Sequence, residues 1–418
     1  MNDNERRLRA LDARVVQAAR GIRVLTHLAW PVELGEVFIE QWKAGRPEIP
    51  RVQYPRADLS LASAELSGVM RECDRKHPLE DFVFRTARSY HQAVALLDAV
   101  GTAAFTARSR TLYGDSTQPV TGEGPTTAVA AAKVMELTAQ YVDDRRIEAT
   151  EYCVLPAAVA RQIESAATLF DRDAVEVVLD PALSSKAAAG ARRVRVRSST
   201  CFSEADVPQL IQHELLVHTL TALNGRVQPL LTCMSLGAPR TTRTQEGLAL
   251  FAELITNSMD IHRLRRIAAR VVAIDMALDG ADFIDLFRYF LAAGQTEHES
   301  FASAQRIFRG TDGRGGSAFT KDGVYFQGLV RVHRFLRDAA RAGQAADPGF
   351  LMAGRMRFDD VERLRPWFES GAIVAPRYLP DWIRHRSRLV TFLMYSSFAA
   401  ELHLDSALAL AEATEGGD

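Results

Sequence analysis

The run 210–225, LIQHELLVHTLTALNG, constrains this chain more than any other stretch. Its apolar residues, Leu210, Ile211, Leu215, Leu216, Val217, Leu220 and Leu223, recur at helical spacing, which predicts a buried helix. The same helix carries His213, Glu214 and His218 in its middle, and polar groups buried without partners cost about 2–7 kcal/mol each. Two histidines four apart on a helix can grip one metal ion. Here they are five apart. At about 100° per residue they diverge by about 140° on a regular α-helix. A single-turn π-bulge absorbs one residue and restores a common face. The spacing therefore leaves two readings open: a helix widened around a metal, or a regular core helix that packs two histidines.

Two further features favour the metal. A second helix is expected to start in TTRTQEGLALFAEL, with Thr242 and Gln245 as a capping box. That puts Glu246 in its first turns, 28 residues after His218. Two histidines from one helix and a carboxylate from a following one form a common zinc set with a position left for water. A glutamate next to the first histidine, here Glu214, is then placed to take that water's proton. The first helix is expected over 207–223, with Asp206 as N-cap, Ser203 capping an earlier turn, and Asn224-Gly225 as a left-handed stop. Glu253, seven residues after Glu246, is read as packed or exposed, with support of a ligand histidine as the alternative.

Around this core the chain reads as mostly helical. Helices are expected over 4–29, 61–74, 79–107, 127–141 and 156–170, and over most of 260–311 and 324–413. The proline-containing stretch 35–60 is expected to wrap over the surface, and 109–126 to be a loop. Strands are expected near 151–155, 174–180 and 192–198. The alternating Arg-Val pattern of the last reads as one buried and one solvated face, not as a nucleic-acid stripe. GTDGRGG at 310–316 lacks a phosphate-loop ending and reads as a lid or plain loop. The fold class is α+β, predominantly helical. A small sheet lies ahead of the active helix, and N-terminal helices (1–108) pack on a catalytic part (109–418) as a single domain.

Composition excludes more than it identifies. Fifty-one basic residues balance 52 acidic ones, which gives no reason to expect nucleic acid or an anionic membrane as a partner. No apolar run reaches the ~18 residues of a membrane span, and the charged N-terminus lacks a signal-peptide core. Cys73, Cys153, Cys201 and Cys233 are scattered and form no zinc or disulfide pattern, so a reduced, cytoplasmic protein is expected. Only five of the basic residues are lysines, which makes Lys321 more informative than an arginine would be.

An ordered series of motifs then resembles a known family. LYG (112–114), HELLVH (213–218), LNGRVQP (223–229), TQEGLA (244–249), RIFRG (306–310), FTKDGVY (319–325) and PRYLPDW (376–382) resemble the QEGLA-motif family (flavohemoglobin expression-modulating QEGLA-motif proteins). Its animal members are the microtubule-associated tyrosine carboxypeptidases. The resemblance runs from about residue 20 to 400, and the five-residue histidine spacing is the family's own pattern. It implies a zincin-like core with one Zn2+ held by His213, His218 and Glu246, and Glu214 as general base. It also implies metal-dependent removal of a C-terminal residue from a peptide or protein. Such a reaction needs a cation for the substrate's terminal carboxylate. The resembling segments nominate Arg306, Arg309 and Lys321 for that role, and Tyr325 for oxyanion stabilisation. A zinc endopeptidase and a non-catalytic zinc-stabilised binding protein remain the alternatives.

Overall fold

A computed structural model describes residues 2–122, 124–141, 153–183, 185–344 and 347–401. The N-terminal third contains α1 (Asp3–Ala19), α2 (Val24–His27), α3 (Glu33–Lys43), α4 (Ser60–Glu72), α5 (Pro78–Asp98) and α6 (Ala104–Tyr113). Next come α7 (Thr127–Leu137) and α8 (Pro156–Ala166), followed by β1 (Glu176–Asp180), β2 (Ala187–Ala189) and β3 (Arg193–Arg197). The central helix is α9 (Asp206–Leu210), a π segment (Ile211–Thr219) and α10 (Leu220–Arg226) run end to end. After it follow α11 (Thr242–Ile255), α12 (Ile261–Leu278), α13 (Phe283–Ala292), α14 (Glu297–Phe308) and α15 (Gly323–Arg341). The last described elements are α16 (Asp347–Phe350), α17 (Phe358–Glu369), α18 (Asp381–Arg384) and α19 (Arg386–Glu401). The expected class, mostly helical with a small sheet, is what is found.

Local chemistry explains several boundaries. Pro78 opens α5, where its missing N–H is no loss. Asp282 with Asp285, and Thr296 with Glu299, form reciprocal capping boxes on α13 and α14. The sheet order is β1-β3-β2, with β1 parallel and β2 antiparallel to β3. Val194 and Val196 are fully buried, while Arg193 and Arg195 lie on the wet face and pair with Glu176 and Asp180 of β1. That is the solvated arginine stripe the alternation predicts.

Several expectations need correction. Residues 33–43 are helical (α3), because Phe38 and Ile39 pack inward ahead of the prolines. The 79–107 helix is interrupted after Asp98 at Gly101, whose positive φ of 74° no longer fits a right-handed helix, and α6 extends into the expected loop. β2 was unforeseen: three alanines carry no strand signal. Of the strand expected at 151–155, residues 151 and 152 lie outside the described residues, and Val154 makes an isolated antiparallel bridge to Phe202. Beside that bridge Cys153 and Cys201 are joined as a disulfide with Cα atoms 5.4 Å apart, so the expectation of a reduced protein without a disulfide pattern fails at this pair. Residues 402–413 of the expected last helix lie outside the described residues. No helix among the described residues is long and apolar enough to cross a membrane.

Two packing arrangements position the site. The π segment, α11 and α15 share one core with α1, α4 and α5. α11 and α15 touch backbone to backbone at Gly247 and Gly328, where a Cβ on Gly247 would lie 2.3 Å from the Gly328 carbonyl. A second core of Trp30, Phe38, Phe283, Phe287, Phe290, Phe301 and Phe308 fixes α13 and α14 against α3.

Candidate metal centre

The central helix is widened where the histidine spacing requires it. Nine residues, Ile211–Thr219, adopt π geometry, in which bonds run from i to i+5 and residues five apart stack. His213 and His218 consequently face the same side, their rings edge to face with centroids 4.8 Å apart. The reading as a regular core helix is thereby removed.

The ends of this helix differ from expectation. Ser203 closes the turn ahead of α9, as expected: its hydroxyl accepts from the Asp206 N–H while the Asp206 carboxylate accepts from the Ser203 N–H, and the N-cap position itself is Ala205, without a side-chain cap. Asp206 is the reciprocal partner, not the N-cap. Asn224 and Gly225 lie inside α10 rather than ending it. Asn224 is fully buried and donates to the carbonyls of Met352 and Tyr378. Gly225 is needed for close approach: a Cβ there would sit 2.5 Å from the Met234 backbone. The expected Thr242–Gln245 capping box is absent, because Gln245 turns inward to accept from the Thr221 hydroxyl. Glu246 nevertheless falls in the first turns of α11.

His213, His218 and Glu246 each offer one ligand atom, and the three atoms lie within 4.8 Å of one another. Among the described residues this is the one such group of His, Cys, Asp or Glu. Glu246 Oε2 lies 3.3 Å from His213 Nε2 and 3.5 Å from His218 Nε2, yet it is buried without a hydrogen-bond partner. Burial opposes ionisation of Glu246, but Lys321, His213 and His218 more than reverse that and hold its carboxyl well below the usual carboxylate range. Glu214, half-buried, accepts a 2.8 Å hydrogen bond from the N–H of Ala189 at the end of β2, so the unforeseen strand orients the expected base.

Of the residues nominated for the substrate side, Lys321 adjoins this group directly. Lys321 Nζ is 3.4 Å from Glu246 Oε1 and 4.9 Å from the Tyr325 ring centroid. Arg306 is committed to Asp322 through a bidentate pair at 2.5 and 2.9 Å. Arg309 is buried, and its Nε has no hydrogen-bond partner among the described residues. Burial and the neighbouring Arg306 push its pKa down to about 10.

Sequence reasoning underrated or missed three supports. Glu253, read chiefly as packing, is fully buried and lies 2.6 Å from His213 Nδ1 while also receiving Arg263. It fixes which ring nitrogen of His213 faces the Glu246 carboxylate. Its seven-residue spacing from Glu246 was the available signal. Asp322, in FTKDGVY, anchors Arg306. Arg355 donates to the His218 carbonyl across 137 positions of sequence and had no local signal at all.

Comparison with known proteins gives the family of the chain. A family model described as microtubule-associated tyrosine carboxypeptidase matches residues 38–401. The chain belongs to the microtubule-associated tyrosine carboxypeptidase family. Microtubule-associated tyrosine carboxypeptidase 1 of Mus musculus is 27% identical over 186 residues, covering 43% of this chain and 38% of the relative. The proteins of the same name from Rattus norvegicus and Homo sapiens are 28% and 26% identical over 185 and 196 residues, each covering 43% of this chain and 37% of the relative. The aligned part is thus well under half the length of the curated relatives.

Proposed function

We propose that this chain is a zinc-dependent metallopeptidase with a zincin-like core, acting as a carboxypeptidase on the C-terminus of a peptide or protein. The observation that carries the reading is the buried Glu246 Oε2, which faces a ring nitrogen of each histidine. Two zinc–ligand bonds of about 2.0–2.1 Å at a tetrahedral angle separate their donors by about 3.3–3.4 Å. The separations of 3.3 and 3.5 Å from Glu246 Oε2 to the two Nε2 atoms fit that geometry, and its orphaned Oε2 needs such a partner. His213, His218 and Glu246 would hold the ion. Bound zinc supplies Lewis acidity toward a carbonyl and lowers the pKa of water.

The chain's own groups do the rest. Glu214, aimed by Ala189, takes a proton from the attacking water and returns it to the leaving amine. Tyr325, beside Lys321, donates to the oxyanion. Lys321 and Arg309 receive the substrate's terminal carboxylate, with Arg306 and Asp322 as the frame behind them. The names of the relatives supply the exopeptidase choice. The test uses matched peptides ending in a free carboxylate or an amide. A carboxypeptidase cleaves the free acid and loses most activity on the amide. Equal cleavage would make the chain an endopeptidase.

A further inference from the structure

A cavity of about 300 Å³ opens among α5, α6, α15 and the starts of α11 and α17. None of His213, Glu214, His218, Glu246 or Lys321 lines it. Its wall carries Arg85, Arg88, Arg240, Arg243, Arg331 and Arg357, and no carboxylate. Three of these are already neutralised. Arg240 Nη2 lies 2.7 Å from both carboxylate oxygens of Asp360, Arg85 pairs with Asp81 and Asp360 at 2.9 and 2.8 Å, and Arg357 pairs with Asp359 at 2.9 Å.

The other three are not. Arg243 donates to the Tyr113 carbonyl at 2.7 Å and keeps a buried Nε with no acceptor. Among the described residues Arg331 donates only to the carbonyls of Val120 and Pro119. Neither these two nor Arg88 has a carboxylate at ion-pair distance among the described residues. Burial pushes Arg243 down to about 10, and Arg331 and Arg357 push the same way. Arg243 and Arg331, half-buried near one another without a carboxylate partner, favour an anion beside them, and Arg88 stands exposed at the rim.

We propose that this cavity binds a small phosphate-bearing molecule, its phosphoryl oxygens held by Arg88, Arg243 and Arg331. A phosphate group carries up to two charges and three acceptor oxygens, which suits several guanidinium forks better than a single carboxylate does. The start of the 14-residue α11 adds the positive end of a helix dipole. Gln92 and Thr111 line both this cavity and an adjoining one, of similar volume, walled by Ala104, Ala107 and Arg108. The second space accommodates the uncharged remainder of a phosphate ester.

Calorimetric titration of the full chain at constant ionic strength, with inorganic phosphate and with phenyl phosphate, tests this. Saturable binding of either probe is expected. Arg88→Gln and Arg331→Gln should each weaken it about tenfold, the worth of a charge-assisted hydrogen bond. Arg334→Gln, on the same helix but outside the cavity, should leave it unchanged. Tighter binding of phenyl phosphate identifies an ester as the ligand, and equal binding identifies phosphate itself. Absence of binding, or equal losses in all three variants, overturns the site. A tetraglutamate peptide that binds instead, and is lost with Arg88 and Arg331, overturns the phosphate in favour of an acidic peptide.

Discussion

The candidate metal centre and the aromatic core of α13 and α14 lie in the same molecule but obey different rules. In the aromatic core every choice agrees with every other. Phe283, Phe287 and Phe290 face inward on a helix capped by Asp282, and the rings of Phe283 and Phe287 meet those of Trp30, Phe38 and Phe301 edge to face or stacked. In the candidate metal centre the local rules are broken together: a π helix, two histidines with ring centroids 4.8 Å apart, and a buried carboxylate oxygen with no hydrogen bond among the described residues. Distant residues hold those violations in place, namely Arg355 on the His218 carbonyl, Glu253 on His213 and Ala189 on Glu214. The contrast teaches that agreement between local rules marks a region that holds the fold, whereas rules broken together mark a candidate site.

Substitutions should separate the two. The largest effect is expected for Glu214→Gln. Steady-state cleavage of a free-acid peptide should fall about 10²–10⁴-fold, the range for a general base, with the melting temperature nearly unchanged. Unchanged turnover would remove Glu214 from the chemistry. Phe283→Ala should do the reverse. A loss of about 3–5 kcal/mol in denaturant unfolding is expected, while metal stoichiometry of the folded fraction stays the same. A drop in stoichiometry there would mean the two regions are not separable. Glu253→Gln falls between them. It keeps a hydrogen-bond acceptor for His213 but loses the charge that receives Arg263, and metal affinity in competition with a chelator should weaken about 10–100-fold. Affinity equal to the parent would reduce Glu253 to a packing residue.

How much the sequence disclosed follows the same division. Periodic segments such as α5 and α8 were readable because burial and propensity agree there. The π segment was readable for the opposite reason: five-residue histidine spacing makes no sense on a regular helix. Glu246 was readable from the helix start that follows. Features that depend on a distant partner were not. Asn224-Gly225 has the letters of a stop, but Gly225 serves close packing on Met234, and Asn224 reaches Tyr378. Gln245 has the letters of a cap partner but answers to Thr221. The Cys153–Cys201 pair depends on the bridge between Val154 and Phe202, 48 positions apart. Arg355 is one arginine among many until the fold brings it to His218.

The most direct test of the metal centre is elemental mass spectrometry of protein purified without a histidine tag, beside His218→Ala and Glu246→Gln. About one zinc per chain in the parent, lost in both variants, is the expected result. A parent chain that takes up no zinc even after addition and removal of excess would contradict it, and so would zinc that persists in both variants.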